Sequence, residues 1–215
     1  MEKNAEEYFE KVYAFVEENP QIKDLFYGSY AVDGPVKMNP KVLFIGINPG
    51  HGAKNKDYSF ASQKHDEISY LHTYRYHLRD RTKGILKFLG LKNDEIKDLF
   101  KNFAVKTNLS YFRTDNDSKL KQLNNRLKEF EPRKKEIEFT KGLISAIKPK
   151  VVVLEGKSAW TRLMPSYSKE GTKWKEENYG YYFDEKNLTH FFGYNRRKNP
   201  SKSANLSEVS KALKN

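Results

Sequence analysis

The most informative segment of the sequence is Val42-Leu43-Phe44-Ile45-Gly46-Ile47-Asn48-Pro49-Gly50. It opens with an unbroken apolar run, which is typical of a strand covered on both faces in a parallel sheet. The run stops at Gly46, and Pro49 and Gly50 follow, so the sequence predicts a tight, stiff turn. This turn would hold Asn48 just beyond the carboxyl end of a central strand, where open α/β sheets bind ligands. An ordinary strand-to-helix turn with a solvated asparagine is the alternative.

Three later segments have the same apolar character, and the stretches between them have helical spacing. Strands that alternate with helices indicate a sheet covered by helices on both faces. We therefore expect an α/β protein, a three-layer α/β/α fold with a central, mainly parallel four-stranded sheet. Residues 1–215 are expected to form a single domain, with an N-terminal helix over about residues 4–19 packed on it. The further strands are predicted at Phe103–Asn108, Val151–Leu154 and Leu188–Gly193.

The chain is strongly basic. It has 40 lysine and arginine residues against 28 aspartate and glutamate residues, a net charge of +12, and its pI is near 9.5. A pI above about 9 is expected of a protein that binds nucleic acid. A lysine-rich composition produces the same charge without nucleic acid, so charge alone does not identify the partner. Aromatic residues make up 14% of the chain, which suits either stacking on bases or a large core.

The sequence contains no cysteine, which excludes disulfides, thiolate zinc sites and cysteine-ligated iron–sulfur clusters. The amino terminus is charged and lacks the apolar segment of a signal peptide. No apolar run approaches the roughly 18 residues of a membrane span. We therefore expect a cytoplasmic protein that does not enter membranes. The 5 histidines have no metal-ligand spacing, so no metal site is expected.

Polar residues occur at the carboxyl end of one predicted strand and shortly beyond the carboxyl ends of two others. They are Asn48, Asn108 and the loop Asn199-Pro200-Ser201. Parallel strands bring their carboxyl ends to one edge of a sheet, so these three groups are expected to converge there.

In these features the chain resembles the uracil-DNA glycosylase superfamily, and especially its mismatch-specific uracil/thymine branch. The matching pieces occur in the order of the family and span residues 42–206, which is most of the chain. They are Gly46-Ile47-Asn48-Pro49-Gly50, Thr107-Asn108, the run Pro149–Leu154 with Gly156 and Ala159, and Asn199-Pro200-Ser201.

The resemblance implies a catalytic role for two asparagines. In the family, the polar residue of the first motif positions the water that attacks the anomeric carbon of the sugar, and here that residue is Asn48. Asn199 stands where other branches have a histidine, as it does in the mismatch-specific branch. It would donate a hydrogen bond to the leaving base as negative charge develops there. A neutral donor stabilises that charge less than an imidazole does, so slow turnover is expected.

The resemblance also implies a site for a base flipped out of the duplex. Asn108 matches the asparagine that pairs with the edge of uracil, because an amide both donates and accepts hydrogen bonds. Phe60 is expected to stack on the base, with Tyr58 as the second candidate, and Ile47 is expected to contact it. A strand-end or capping role for Asn108 and a core position for Phe60 are the alternatives.

Cations surround the Asn199-Pro200-Ser201 motif and are expected to contact the DNA backbone. Ser201 would bind the phosphate next to the flipped nucleotide, and Leu206 would enter the space that the base leaves. The segment before Leu206 is longer than expected for the family, so a core position is the alternative there. A solvated basic loop is the alternative for the cations, which are Arg196, Arg197, Lys198 and Lys202.

Taken together, the sequence predicts a monomeric, monofunctional DNA glycosylase that acts in DNA repair without a cofactor. It would remove uracil or a related altered base from single- or double-stranded DNA by hydrolysing the N-glycosidic bond. Two alternatives are open. The same scaffold could act on a bulkier modified base, for instance in defence against phage DNA. It could also be a non-catalytic domain that binds nucleic acid or nucleotides, since a fold does not determine a function.

Overall fold

The computed structural model is an α/β protein built on a mixed six-stranded sheet, which confirms the general α/β class that the sequence predicts. Helices lie on both faces of the sheet, and the strands Val42–Gly46, Ala104–Asn108 and Val151–Leu154 are completely buried. The residues that the structure describes are 10–11, 13–20, 22, 32–48, 68–71, 77–112, 114, 117–168, 174 and 178–215.

The six strands lie in the order β1-β3-β2-β4-β6-β5. Each neighbouring pair within β3, β2, β4 and β6 is parallel. The two edge strands, β1 and β5, pair antiparallel with their neighbours. The strands are β1 (Val32–Asp33), β2 (Val42–Gly46), β3 (Ala104–Asn108), β4 (Val151–Leu154), β5 (Tyr179–Asp184) and β6 (Thr189–Tyr194).

The helices connect the strands and supply the outer layers. The first, α1, is described at residues 10–11 and 13–18. Helix α3 continues into a π-helical turn at Leu99–Phe103, and short 3₁₀ turns occur at Ser69–Leu71, Lys128–Phe130 and Met164–Ser166. The remaining helices are α2 (His77–Phe88), α3 (Asn93–Asp98), α4 (Asp117–Arg126), α5 (Pro132–Ile147), α6 (Lys157–Leu163) and α7 (Ala204–Lys214).

The core consists of two apolar clusters separated by the sheet, because successive side chains of a strand point to opposite faces. On one face, Leu43 and Ile45 of β2 pack with α4, α5 and α6 and with Val16 of α1. On the other face, Val42 and Phe44 pack with α2, α3 and α7. For brevity, the first is called the α5 face and the second the α2 face.

Helix α5 shows how local sequence sets these elements. It begins at Pro132, whose fixed φ and missing N–H suit the first helical position. Thr140, Ile144 and Ile147 recur at helical spacing and are buried. The helix ends at Lys148, which adopts a left-handed conformation with φ of 50°, and Pro149 cannot continue it.

The sheet has six strands rather than the expected four, because both antiparallel edge strands escaped prediction. Strand β1 has only 2 residues, too few to show any alternation. Strand β5 contains Gly180 and lies in a turn-rich stretch, and it is fixed mainly by its pairing with β6. The predicted strand Leu188–Gly193 is present, shifted by one residue, as β6.

The β5–β6 edge is covered by Trp160 of α6. Gly180 and Gly193 are register partners on these two strands. A Cβ atom on either glycine would overlap the indole ring, so the pair forms a flat surface against which the ring packs. Trp174 contacts the same ring edge-on, with a centroid distance of 6.3 Å.

Candidate functional site

The carboxyl ends of β3, β2, β4 and β6 lie at one edge of the sheet, because these strands are parallel. The chain passes from β2 to β3 on one side, whereas β4 lies on the other side of β2. Open α/β sheets bind ligands at such a reversal of strand order. The edge at β2 and β4 is therefore the candidate site.

Asn48 lies shortly beyond the end of β2 and is half-buried. Its Nδ2 donates hydrogen bonds to the main-chain oxygen and to the hydroxyl of Thr114, each at 3.0 Å. Thr114 belongs to the loop that follows β3, so these bonds connect the ends of two neighbouring strands. They fix the plane of the Asn48 amide at the edge of the sheet.

Asn108 is the last residue of β3 and pairs in register with Gly46 of β2. The residue is 8% exposed, and its amide group has no hydrogen bond to any part of the chain that the structure describes. A Cβ atom on Gly46 would overlap Asn108 Oδ1, so the Asn108 side chain lies across the bare backbone of β2. The amide nitrogen and oxygen of Asn108 are not among the fully buried atoms that lack a partner, so they remain accessible to water or a ligand.

Buried charges lie on the α2 face beside Asn108. Lys106 is 2% exposed, and its Nζ lies 3.7 Å from Glu155 Oε2 and 3.9 Å from Asp33 Oδ2. Glu155 follows β4 directly and is fully buried. Buried ion pairs contribute little net stability, so a role in the site is the better explanation for this group.

The two oxygens of the Glu155 carboxylate have different surroundings. Oε1 accepts hydrogen bonds from the hydroxyl groups of Tyr70 and Thr82. The Thr82 hydroxyl also lies 2.9 Å from the hydroxyl of Tyr194. Burial, with the charge of Glu155 as the second cause, raises the pKa of Tyr194 above its usual range, so this hydroxyl stays protonated. Oε2, in contrast, has no hydrogen bond within the described residues.

Arg81 of α2 fixes the loop that follows β6. Its Nη1 donates to Asn199 Oδ1 at 2.7 Å, and its Nη2 donates to the main-chain oxygens of Asn195 at 2.9 Å and Lys198 at 2.6 Å. Because the amide oxygen of Asn199 faces Arg81, its NH2 group is directed toward other partners. The charged donor also polarises the amide and makes its NH2 a stronger donor.

The predicted phosphate-binding residues Arg196, Arg197, Lys198, Ser201 and Lys202 are all exposed. Arg196 has an additional structural contact. Its Nε donates to the main-chain oxygen of Glu155 at 2.8 Å, and a Cβ atom on Gly156 would lie 3.1 Å from the same nitrogen. Arg196 therefore joins the β6 loop to the turn after β4, and the other four side chains make the exposed basic surface.

The expectation that Leu206 enters the DNA is wrong. Leu206 is 4% exposed and packs on the α2 face with Val153 and Phe192. The longer segment before it places the residue in the first turn of α7, where it points toward the sheet. The core alternative is therefore the observed one.

Ile47 is also a core residue. Its side chain is nearly buried on the α5 face, opposite to the side chain of Asn108. Its main-chain oxygen accepts a hydrogen bond from the N–H of Ser110 at 2.9 Å. The Ile47 side chain therefore lies on the face of the sheet opposite to Asn108, which leaves its main chain as the part that could contact a base. The two aromatic candidates, Tyr58 and Phe60, lie outside the described residues.

The loop after β3 is fixed from the α5 face by Glu136, which is fully buried. Ser110 Oγ donates to Glu136 Oε1 at 2.8 Å, and Arg162 Nη2 donates to Oε2 at 2.6 Å. Burial raises the pKa of Glu136 to about 7, and the Arg162 charge and the Ser110 bond oppose this rise. Since Ser110 and Thr114 lie in one loop, Glu136 supports the segment that orients Asn48.

The described residues contain no group of histidine, aspartate or glutamate side chains that could hold a metal ion. Among the helices of the same part of the chain, none is both long and apolar enough to cross a membrane. A scan against models of protein families gives no match, and neither does a search of curated proteins. The chain is therefore an α/β protein with a mixed six-stranded sheet and a polar edge at the carboxyl ends of its parallel strands.

Sequence reasoning missed three members of this site. Lys106 interrupts an apolar strand, and Glu155 stands between an apolar strand and Gly156. A charge at such a position is a signal, because charged residues are seldom fully buried unless they are paired. Arg81 had no comparable signal, since an arginine on a helix is ordinary.

Proposed function

We propose that this chain is a DNA glycosylase of the uracil-DNA glycosylase type. It would flip uracil or a related altered base out of DNA and hydrolyse the N-glycosidic bond, and β3, β2, β4 and β6 would correspond to the four-stranded core of that superfamily. The observation that carries the proposal is the position of Asn48 and Asn108 at the carboxyl ends of two neighbouring parallel strands. Asn199, on the loop after β6, lies at the same edge.

Asn108 would recognise the base. Uracil presents a carbonyl acceptor at O4 and an N–H donor at N3, and a single amide complements both atoms. The amide of Asn108 is nearly buried and has no partner among the described residues. A site of this kind discriminates strongly, because the wrong edge leaves buried polar groups unpaired.

Asn48 would orient the attacking water. The reaction breaks the bond between C1′ and the base nitrogen and forms a bond between C1′ and the water oxygen. The Asn48 NH2 group donates to Thr114, so the amide oxygen is the atom that would accept a hydrogen bond from water. A neutral amide is a weak base, so departure of the base would lead and water would attack a carbon with oxocarbenium character.

Asn199 would stabilise the departing base. Negative charge develops on the pyrimidine O2 as the glycosidic bond breaks, and a fixed donor at that point lowers the barrier. The contact of Arg81 with Asn199 Oδ1 supports this role, since it directs and strengthens the NH2 donor. The attacking water releases one proton to solvent, and the departing base anion takes up one proton from solvent, so the proton count balances.

The exposed cations of the loop after β6 would bind the DNA backbone. Arg197, Lys198 and Lys202 lie next to Asn199 in sequence, and all three are exposed. Contacts to phosphate fix the position of a protein on the duplex without reading the sequence. This loop would therefore deliver the flipped nucleotide to the site.

The deciding experiment is base release from a series of oligonucleotides that each carry one altered base. The series should contain uracil, thymine opposite guanine, hypoxanthine and bulkier 5-substituted pyrimidines, in single and double strands. Alkali treatment converts each abasic site into a strand break. We expect cleavage of at least one substrate by the wild-type protein. Release of no base from any substrate, by protein that binds DNA, would refute the proposal and leave a non-catalytic binding domain.

A further inference from the structure

Asn108 and Glu155 both have side-chain oxygens near the position that a Cβ atom would take on Gly46. Asn108 is the last residue of β3 and Glu155 directly follows β4, and these two strands flank β2. Gly46, the last residue of β2, lies between Asn108 and Glu155. A Cβ atom on Gly46 would overlap Asn108 Oδ1 and lie 3.6 Å from Glu155 Oε2. The absence of a side chain at position 46 thus lets an amide and a carboxylate face one small space.

Within that space the hydrogen bonding is incomplete. Glu155 Oε2 is a buried acceptor without a hydrogen bond in the described part of the chain. Lys106 Nζ lies 3.7 Å away, which is close enough for charge attraction and too far for a good hydrogen bond. The hydroxyl donors Tyr70 and Thr82 are both directed at the other oxygen, Oε1. A buried acceptor that no donor reaches destabilises the fold, so Oε2 favours any donor that can approach it.

The amide of Asn108 carries the donor that Oε2 lacks. A half-turn about χ2 exchanges Oδ1 and Nδ2 without changing the shape of the side chain. When Asn108 Oδ1 lies toward Gly46, it shares one space with Glu155 Oε2, and both atoms are acceptors. After the half-turn, Asn108 Nδ2 takes the place of Oδ1 and presents an N–H to Glu155 Oε2. A hydrogen bond to an ionised carboxylate is about twice as strong as a neutral one.

We propose that Glu155 orients the Asn108 amide, with Nδ2 donating to Glu155 Oε2 and Oδ1 facing the ligand, and that Glu155 is thereby a specificity-determining residue. This inference rests on the proposed function. With Oδ1 toward the base, Asn108 accepts a hydrogen bond from a ring N–H, and the second N–H of the amide donates to a neighbouring carbonyl. The substrate class is then a base with an imide edge, such as uracil or thymine.

Cytosine has the opposite edge. Its N3 is an acceptor and would face the amide oxygen, so the complex would lose a hydrogen bond and add a repulsion. Without a fixed orientation, the Asn108 amide could turn and serve either base equally well. Glu155 removes that freedom because a carboxylate oxygen accepts hydrogen bonds, and Lys106 Nζ, the other charged group near Oε2, lies 3.7 Å away.

The first test is an NMR measurement on the wild-type protein without DNA. One side-chain N–H of Asn108 should be shifted downfield and should exchange slowly with solvent, as expected of a buried hydrogen bond to a carboxylate. Glu155→Gln should remove both signatures, because the new amide can donate to Asn108 Oδ1 instead. Asn108 side-chain signals with ordinary chemical shifts and rapid exchange in the wild type would overturn the inference. Lys106 would then be the group that interacts with Glu155 Oε2.

The second test is selectivity. Single-turnover release of uracil and of cytosine from matched single-stranded oligonucleotides gives a ratio, which we expect Glu155→Gln to lower by about tenfold or more. Asp184→Asn is the matched control, since it converts another largely buried carboxylate to its amide at the opposite end of the sheet, and it should leave the ratio unchanged. An equal loss of both activities in Glu155→Gln, at constant ratio, would mean a purely structural role. If the wild type releases no base, the proposed function fails, and the NMR test still decides this inference.

Discussion

Arg81 offers the sharpest test of how the site is organised. Its guanidinium donates to Asn199 Oδ1, Asn195 O and Lys198 O at 2.7, 2.9 and 2.6 Å, so one side chain fixes the loop that carries a proposed catalytic residue. Arg81→Ala removes all three bonds and leaves Asn199 in the chain. The loop would lose its anchor on α2, and the Asn199 amide would lose its fixed position and its polarisation.

The size of the effect follows from the role of the donor. Removing a donor that stabilises charge in a transition state costs about 100- to 1000-fold in rate. Asn199 would still be present and would reach its position part of the time, so we expect Arg81→Ala to slow single-turnover uracil release by about 10- to 100-fold. Arg81→Lys should recover part of the loss, because an ammonium keeps the charge but lacks the fork that spans three acceptors.

The assay uses excess protein over a uracil-containing oligonucleotide, with DNA affinity measured separately by fluorescence anisotropy. Lys87→Ala is the control, because Lys87 is an exposed cation near the end of the same helix. In an Asn199→Ala background, Arg81→Ala should have little further effect on the rate. Equal losses from Arg81→Ala in both backgrounds would show that Arg81 does not act through Asn199.

Three further predictions concern the rest of the site. Asn48→Ala should abolish most single-turnover base release and leave DNA affinity within about twofold, because the amide acts on water and not on phosphate; a wild-type rate would make Asn48 a turn residue only. Replacing Arg197 and Lys202 with alanine should reduce the slope of log affinity against log salt by about 2, one for each phosphate contact, and an unchanged slope would place the DNA-binding surface elsewhere. Because burial raises the pKa of Glu136 from 4.5 to about 7, the folded protein keeps a proton that the unfolded chain loses in this window. The free energy of unfolding should therefore fall, by up to about 3 kcal/mol, as the pH rises from 4.5 to 7; urea unfolding at pH 5 and pH 8 should show this fall relative to Glu136→Gln, and equal pH dependence of the two proteins would contradict it.

The parts of the fold that were predictable are those coded by local patterns. Continuous apolar runs predicted β2 and β4. Asn48 and Asn108 could be placed at the same edge of the sheet because parallel strands bring their carboxyl ends to one edge. The edge strands β1 and β5 lack such a pattern, since their stability comes from pairing with strands far away in sequence.

The ion pairs of the site were not predictable for the same physical reason. Asp33, Lys106 and Glu155 come from three distant segments and interact only because β1, β3 and β4 are brought together in one sheet. Arg81 and Asn199 are likewise 118 positions apart. Single residues of the site can be recognised from one sequence, but their pairings require the order of the strands.

Because Trp160 packs on two facing glycines, the intrinsic tryptophan fluorescence of the protein reports on the β5–β6 hairpin. The chain has only 2 tryptophans, Trp160 and Trp174, and their rings are in contact beside the β5–β6 hairpin. Both rings therefore sense the same edge of the sheet, and Trp160 is buried enough to emit at short wavelength. A red shift of intrinsic fluorescence during unfolding would report when this hairpin separates from α6. Far-ultraviolet circular dichroism would follow the whole chain, so comparing the two signals would show whether this edge opens before the rest.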